Sequence, residues 1–487
     1  MGGTGLGVAA LSGLSWSMLS AAEADMEPAP PRKGLVVKPV LVYGVFTPQK
    51  QTSWRPWGGV QTQEDADAEV TRINGELKKL KTGADFPVEF LPLIAVKNSA
   101  ELASAGDLDK ADVYLIYAAT GPSEVFDELA KTGKDCIFFV RHRSGPVSLW
   151  YEIISPRYLR RHTDTLQTKG IDDLDVVVDS QDEIAWRLRA LCGLKNAMGA
   201  KVLTIGGACA WAQPPGVVPE LCRTKWKYEI TDCGYDELAK LIDAANKDPA
   251  AVKLAKTRAA EYLKDSKVTL ETQTEYVERC FLLEQVFRGI MKETGCRNIT
   301  INSCMGTIMP IAETTACLTL TLLNDAGFLA FCESDFVVIP SGILLEGISG
   351  MPVFLNDPTY PHDGVITLAH CTAPRKMNGK TLEPCRMMTH FESDYGAAPK
   401  VEMQLGQEVT MIAPDFKAER WLGLSGKIAA NPFLPICRAQ IDVAFEADSR
   451  TVAERMPGFH WMLGYGNYLN ELGYALKRVP IAWDCLG

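Results

Sequence analysis

The sequence predicts an α/β protein: two doubly wound, Rossmann-like parallel-sheet domains, then a mostly antiparallel β C-terminal domain. Three observations carry this. Apolar strand-like runs alternate with amphipathic helical segments from Gly34 to Ser334, the rhythm of strand–helix–strand units. The final third changes to short alternating runs such as VITLAH, EVTMIAPDF and RAQIDVAFEA, which read as strands buried on one face. The 487 residues, 47% hydrophobic and 23% charged, suffice for about three domains with ordinary cores.

Residues 1–22 carry no charge and lead into Ser20-Ala21-Ala22-Glu23-Ala24. That resembles the apolar and cleavage regions of a secretory signal without its basic start. An exported or periplasmic location follows if this is a truncated twin-arginine-type signal, and a cytoplasmic one otherwise. Gly3-Thr4-Gly5-Leu6-Gly7 follows no strand, so no nucleotide cofactor is implied. EPAPPR (27–32) reads as a linker, and the expected divisions are 1–33, 34–165, 166–350 and 351–487.

GLVVKPVLVYGVF (34–46) is the first strand-like run. Thr62 then caps a helix whose apolar positions Ala66, Val70, Ile73, Leu77 and Leu80 form one stripe. Strand-like runs follow at 87–96, 111–120 and 135–142, with helices near 98–105 and 123–132. The second set has strands at 200–207, 298–303 and 327–334. Its helices are expected at 234–246, 248–264, 270–294 and 309–326, the third closing at Gly295.

Lys+Arg 50 against Asp+Glu 60 gives −10, which argues against nucleic acid or an anionic membrane as partner. No body segment has 18 consecutive apolar residues, so no membrane span is expected in the mature chain. The 14 cysteines show no CxxC pairing and read as buried, reduced thiols.

Four of the 6 histidines, 362, 370, 390 and 460, fall in the C-terminal part; 142 and 162 precede them. Glu333 follows the run ending at Phe331, Asn356-Asp357 follow MPVFL, and His370-Cys371-Thr372 follow VITLA. Ligands bind beyond the carboxyl ends of parallel strands. Carboxylates and imidazole delivered by successive strand ends predict a hard-metal site for Mn²⁺ or Mg²⁺. Trp54, Arg55 and Trp57 in TSWRPWGG combine aromatic faces with a guanidinium, a composition suited to a sugar. Asn302, Glu392, Asp394 and Tyr395 are further pocket candidates.

CESDF, ISGMPVFLNDPTY and GFHWMLGYGNYLNELGYALKRVPI together resemble the C-terminal half of the L-fucose isomerase family and its L-arabinose isomerase relatives, over about residues 300–480. The resemblance implies a metal-dependent aldose–ketose isomerase with Glu333, Asp357 and His460 as ligands to Mn²⁺ or Mg²⁺. Direct register places Asn356 on the family's carboxylate, and Asp357 is chosen because the cation calls for an anion. Glu333 and Asp357 would be the catalytic pair. Trp54, Arg55, Trp57, Asn302, His370 and Tyr395 would bind the sugar. The resemblance also implies a homo-oligomer, trimer or hexamer, with Trp54 or Arg55 acting across an interface. Two alternatives stand beside this: another metal-dependent carbohydrate enzyme on the same scaffold, lyase or epimerase, and a non-catalytic exported sugar-binding protein.

Overall fold

The computed structural model describes residues 9–11, 13–19, 27–147, 172–214 and 216–486. They divide into two compact units, Lys33–Lys195 and Asn196–Gly487 together with Met1–Arg32. The strand β1 (Ala9–Ala10) belongs to the larger unit.

The smaller unit is a parallel sheet. Its strands are β2 (Leu35–Val42), β3 (Val88–Phe90), β4 (Ile94–Val96), β5 (Val113–Ala118), β6 (Asp135–Val140) and β7 (Val176–Val178), ordered β3-β2-β5-β6-β7 with β4 also beside β2. The expected strand at 87–96 is split in two. Pro92 has no N–H to give the ladder, and its carbonyl instead accepts from the buried Lys38 Nζ at 2.8 Å. The helix Gln63–Gly83 starts as expected: Thr62 Oγ1 accepts from Asp65 N while Asp65 Oδ2 accepts from Thr62 N, a reciprocal cap. Ala66, Ile73 and Leu77 are buried, and Val70 and Leu80 half-buried. β7 pairs with β6, so this unit extends past the division expected at 165.

The larger unit contains a second parallel sheet, of β8 (Lys201–Ile205), β9 (Glu229–Cys233), β11 (Asn298–Ile301) and β12 (Leu329–Phe331), ordered β1-β9-β8-β11-β12. From β8 the chain builds first toward β9 and then, in the opposite direction, toward β11. The crevice at such a reversal is where open sheets take ligands. Its core includes Leu203, Ile205, Phe287, Ile290, Ile299 and Ile301.

The described part of the uncharged N-terminal segment is built into this unit. β1 pairs with β9, Trp16 Nε1 donates to Asp248 Oδ2 at 2.9 Å, and Leu19 is buried against Gly289. Downstream, Ala29 N donates to Ala326 O and Arg32 donates to Gly347 O, so the expected linker is tied along the unit.

Where one helix was expected over 309–326, there are two, Cys304–Ala312 and Cys317–Asp325, at 91°. Glu313 between them takes a left-handed φ of 49°. Thr314 and Thr315 are wholly buried, and their hydroxyls donate to Tyr276 O and Ala397 O. Threonine hydroxyls bonded outside the helix compete with helical continuation. No single described helix is long and apolar enough to cross a membrane.

The C-terminal part is an antiparallel closed barrel. Its strands are β13 (Phe354–Pro358), β14 (Val365–His370), β17 (Glu408–Pro414), β18 (Arg420–Ala430), β19 (Ala439–Ala444) and β20 (Trp461–Tyr465), in the order β17-β20-β13-β14-β19-β18, with β18 returning to β17. β21 (Ala482–Leu486) adds to β18 in parallel. Closure removes free strand edges. Phe354, Leu368, Met411, Leu424, Ile441 and Trp461 belong to the barrel core. β10 (Val268–Leu270), β15 (Cys385–Met388) and β16 (Ala398–Val401) form a separate small sheet. The barrel and the second parallel sheet belong to one compact unit.

Candidate metal centre

The turn after β12 is pinned to the loop after β8. Glu333 and Ser334 both have left-handed φ, 66° and 50°, a conformation that costs non-glycine residues of order 1–3 kcal/mol each and gathers at functional sites. Neighbouring bonds hold them there. Ser334 Oγ donates to Gly207 O, and Asp335 Oδ1 accepts from Trp211 N and Val337 N.

Barrel register supplies the rest. Asn356 pairs with Trp461 and Asp357 with Ala369, so one step further along the ladder Asp357 stands opposite His460, and His370 follows Ala369. Adjacent strand residues point to opposite faces, which separates Asn356 from Asp357. Asn356 is wholly buried with its amide donating to Phe354 O, whereas Asp357 Oδ1 lies 3.3 Å from His460 Nε2. Of the two, Asp357 is the one beside His460.

Glu333 Oε2 lies 3.3 Å from His460 Nε2, and its Oε1 3.7 Å from His370 Nε2. His460 Nδ1 is 2.7 Å from Asp335 Oδ2. A carboxylate holding the far nitrogen fixes the ring and its tautomer, the usual support of a metal-binding histidine. Asp357 Oδ1, His370 Nε2 and His460 Nε2 are buried and have no hydrogen-bond partner. Buried polar atoms are ordinarily satisfied, so three unsatisfied ligand atoms beside one carboxylate fit a cation. Ligand atoms of Glu333, His370 and His460 lie within 4.8 Å of one another, and Asp357 Oδ1 adds a second carboxylate oxygen beside His460 Nε2.

Burial opposes charge here, and the ion pairs outweigh it at Glu333, His370 and His460 but not at Asp357. Burial works to raise Glu333, yet the neighbouring His370 and His460 imidazoles hold its carboxyl well below the usual range. Burial likewise works to lower His370 and His460. Glu333 and Asp357 instead push His370 up to about 9, and Asp335, Glu333 and Asp357 push His460 up to about 10. Asp357 is raised, chiefly by burial.

Glu333, His370 and Asn302 line a cavity of ≈ 390 Å³, together with Trp211, His390 and Glu392. Asn302 Nδ2 donates to Gly206 O at 3.1 Å. Trp211 stacks on Phe459 with centroids 4.6 Å apart and meets His460 edge-on. Tyr395 is not among the lining residues. It packs on Tyr276 with ring centroids 4.6 Å apart. Asp394 pairs loosely with Arg438 at 3.9 Å. Trp54, Arg55 and Trp57 belong to the other compact unit. There Arg55 stacks on Trp54 at 5.1 Å, and Trp57 is 65% exposed. His162 lies outside the described residues, and His362 is exposed.

Sequence reading overlooked Asp335, because a carboxylate that orients a ligand has no spacing signature. It also passed over Trp211 and the approach of Cys317, Cys371 and His390, which only the fold assembles. Compared with known protein families and with curated proteins, the chain matches no family model and no curated sequence.

Proposed function

We propose that the chain is a metal-dependent aldose–ketose isomerase acting on a small fucose- or arabinose-like sugar, as its resemblance to the fucose isomerase family implies. The observation that carries this reading is the convergence of Glu333, Asp357 and His460, the residues the resemblance singles out, with three unsatisfied ligand atoms among Asp357, His370 and His460. When bound, Mn²⁺ supplies positive charge for the two adjacent sugar oxygens on which negative charge develops.

The remaining work falls to side chains. Asp357, raised by burial, is matched to take a proton from one sugar carbon and return it to the next. Glu333 stays ionised, and its opposite shift marks it for a different role in the pair. Asp335 holds the His460 ring in place. Trp211 gives the cavity an apolar wall for the sugar's carbon face. The loop carrying Trp54, Arg55 and Trp57 is proposed to complete the pocket from a neighbouring copy in a homo-oligomer.

The test is to supply Mn²⁺ to the purified full-length chain and assay a panel of aldopentoses and 6-deoxyaldohexoses for ketose. The expected result is conversion that a chelator abolishes and that Asp357→Asn reduces at least 10³-fold, on the order of a lost general base and ligand together. Failure to convert any aldose with Mn²⁺ bound would refute the isomerase reading.

A further inference from the structure

The wall of the same cavity is rich in sulfur. Cys209, Cys304, Cys317, Cys332, Cys371 and Cys437 all line it, and each is a free thiol. Two of them, Cys317 and Cys371, pack with Ala398 as a small buried cluster separate from the main cores. His390 joins these two. One donor atom from each of Cys317, Cys371 and His390 lies within 4.8 Å of the others, and all three residues are buried.

The fold brings them from distant points. Cys317 opens the second of the two angled helices, Cys371 follows β14, and His390 lies two residues after β15. The helix break at Glu313 is what delivers Cys317 to the cavity.

We propose that Cys317, Cys371 and His390 form a second cation site, one for Zn²⁺, separate from the Glu333 centre and open on its fourth side to the cavity.

Donor chemistry separates the two sites. Thiolates select zinc over manganese, whereas carboxylates favour manganese. Two thiolates neutralise a divalent charge, which offsets the cost of burying the ion, and Glu392 Oε2 stands 4.0 Å from His390 Nε2. Two sulfurs, one imidazole and an open position is a known arrangement for zinc sites that keep a free coordination position.

Geometry agrees. Zn–S of about 2.3 Å and Zn–N of about 2.0 Å place tetrahedral donors about 3.5–3.8 Å apart, so the present spread needs only modest rotamer shifts. The His390 ring is already held, with Nδ1 3.3 Å from Ser393 Oγ, the outer contact that a ligating histidine needs. His370 stands between the sites, its Nδ1 3.8 Å from Cys371 Sγ and its Nε2 near Glu333. The inference stands whether or not the chain isomerises sugars.

The experiment adds Co²⁺ to chelator-treated full-length protein under reducing conditions, then displaces it with Zn²⁺. The expected result is a near-ultraviolet thiolate-to-cobalt charge-transfer band that saturates at one equivalent. Zn²⁺ should abolish the band, Cys317→Ser and Cys371→Ser should remove it, and Glu333→Gln should leave it intact. X-ray absorption at the zinc edge of the wild-type protein gives a reading independent of any variant's folding, and should show two sulfur neighbours. No charge-transfer band in the wild type, or a zinc shell of oxygen and nitrogen alone, would overturn the proposal.

Discussion

Asp335 tests the metal centre without touching its open side. Its Oδ2 is bonded to His460 Nδ1 at 2.7 Å while Oδ1 serves two backbone N–H groups. Asp335→Asn keeps the backbone bonds but turns a donor toward the ring, favouring the wrong tautomer. Mn²⁺ affinity should fall about 10- to 100-fold, measurable by titrating free Mn²⁺ with electron paramagnetic resonance. The histidines add a pH dependence. With His370 raised to about 9 and His460 to about 10, both rings carry their second proton at neutral pH in the metal-free protein. Binding must then expel protons. Calorimetry at pH 7 in buffers of different ionisation heat should show proton release on Mn²⁺ uptake, and affinity should rise toward pH 9. The same shifts stabilise the metal-free fold fully below about 6.5, the unfolded histidine value, and that contribution is lost as pH rises through 9 to 10.

Single elements carry the site's precision. His460 is delivered by the turn just before β20, where Gly458 has a φ of 69° and a Cβ would run into Pro414 O. Gly458→Ala should destabilise the chain by about 1–3 kcal/mol in denaturant unfolding, and should weaken Mn²⁺ binding more than a substitution elsewhere in the barrel does. These elements were legible in the sequence to different degrees. The Thr62 cap, the Gly295 stop and the strand-end position of Glu333 follow from local chemistry and could be read directly. The break between Ala312 and Cys317 could not, because an apolar run without charges looks like one helix until Thr314 and Thr315 find carbonyls on distant segments. Asp357 could be preferred to Asn356 on charge, but only the β13–β20 register shows which of the two stands beside His460.

For the whole molecule, the parallel sheets and the antiparallel C-terminal region follow from hydrophobic rhythm. Closure of the last strands into a barrel does not: β17 and β18 form a local hairpin, but the β13–β20 and β14–β19 pairings join segments remote in sequence. The same holds for the joining of barrel and second sheet in one compact unit. Asp325, within that unit, offers a stability test. Burial raises its carboxyl to about 7, although Lys376 N donates to it. Its neutral form is therefore favoured in the fold, and stability is lost as pH rises from about 4, where the unfolded chain ionises, to about 7. Asp325→Asn should gain up to about 4 kcal/mol relative to wild type at pH 8, and the gain should vanish near pH 4 in parallel unfolding curves.

If Glu333, Asp357, His370 and His460 together hold a functional cation, the full-length chain must take up Mn²⁺ through them. Electron paramagnetic resonance should find about one equivalent bound to the wild type, and none to the Glu333→Gln/His460→Ala double variant while its circular dichroism is unchanged. A wild-type chain that leaves supplied Mn²⁺ free in solution, or a double variant that binds it equally well, would mean that these four side chains hold no such cation.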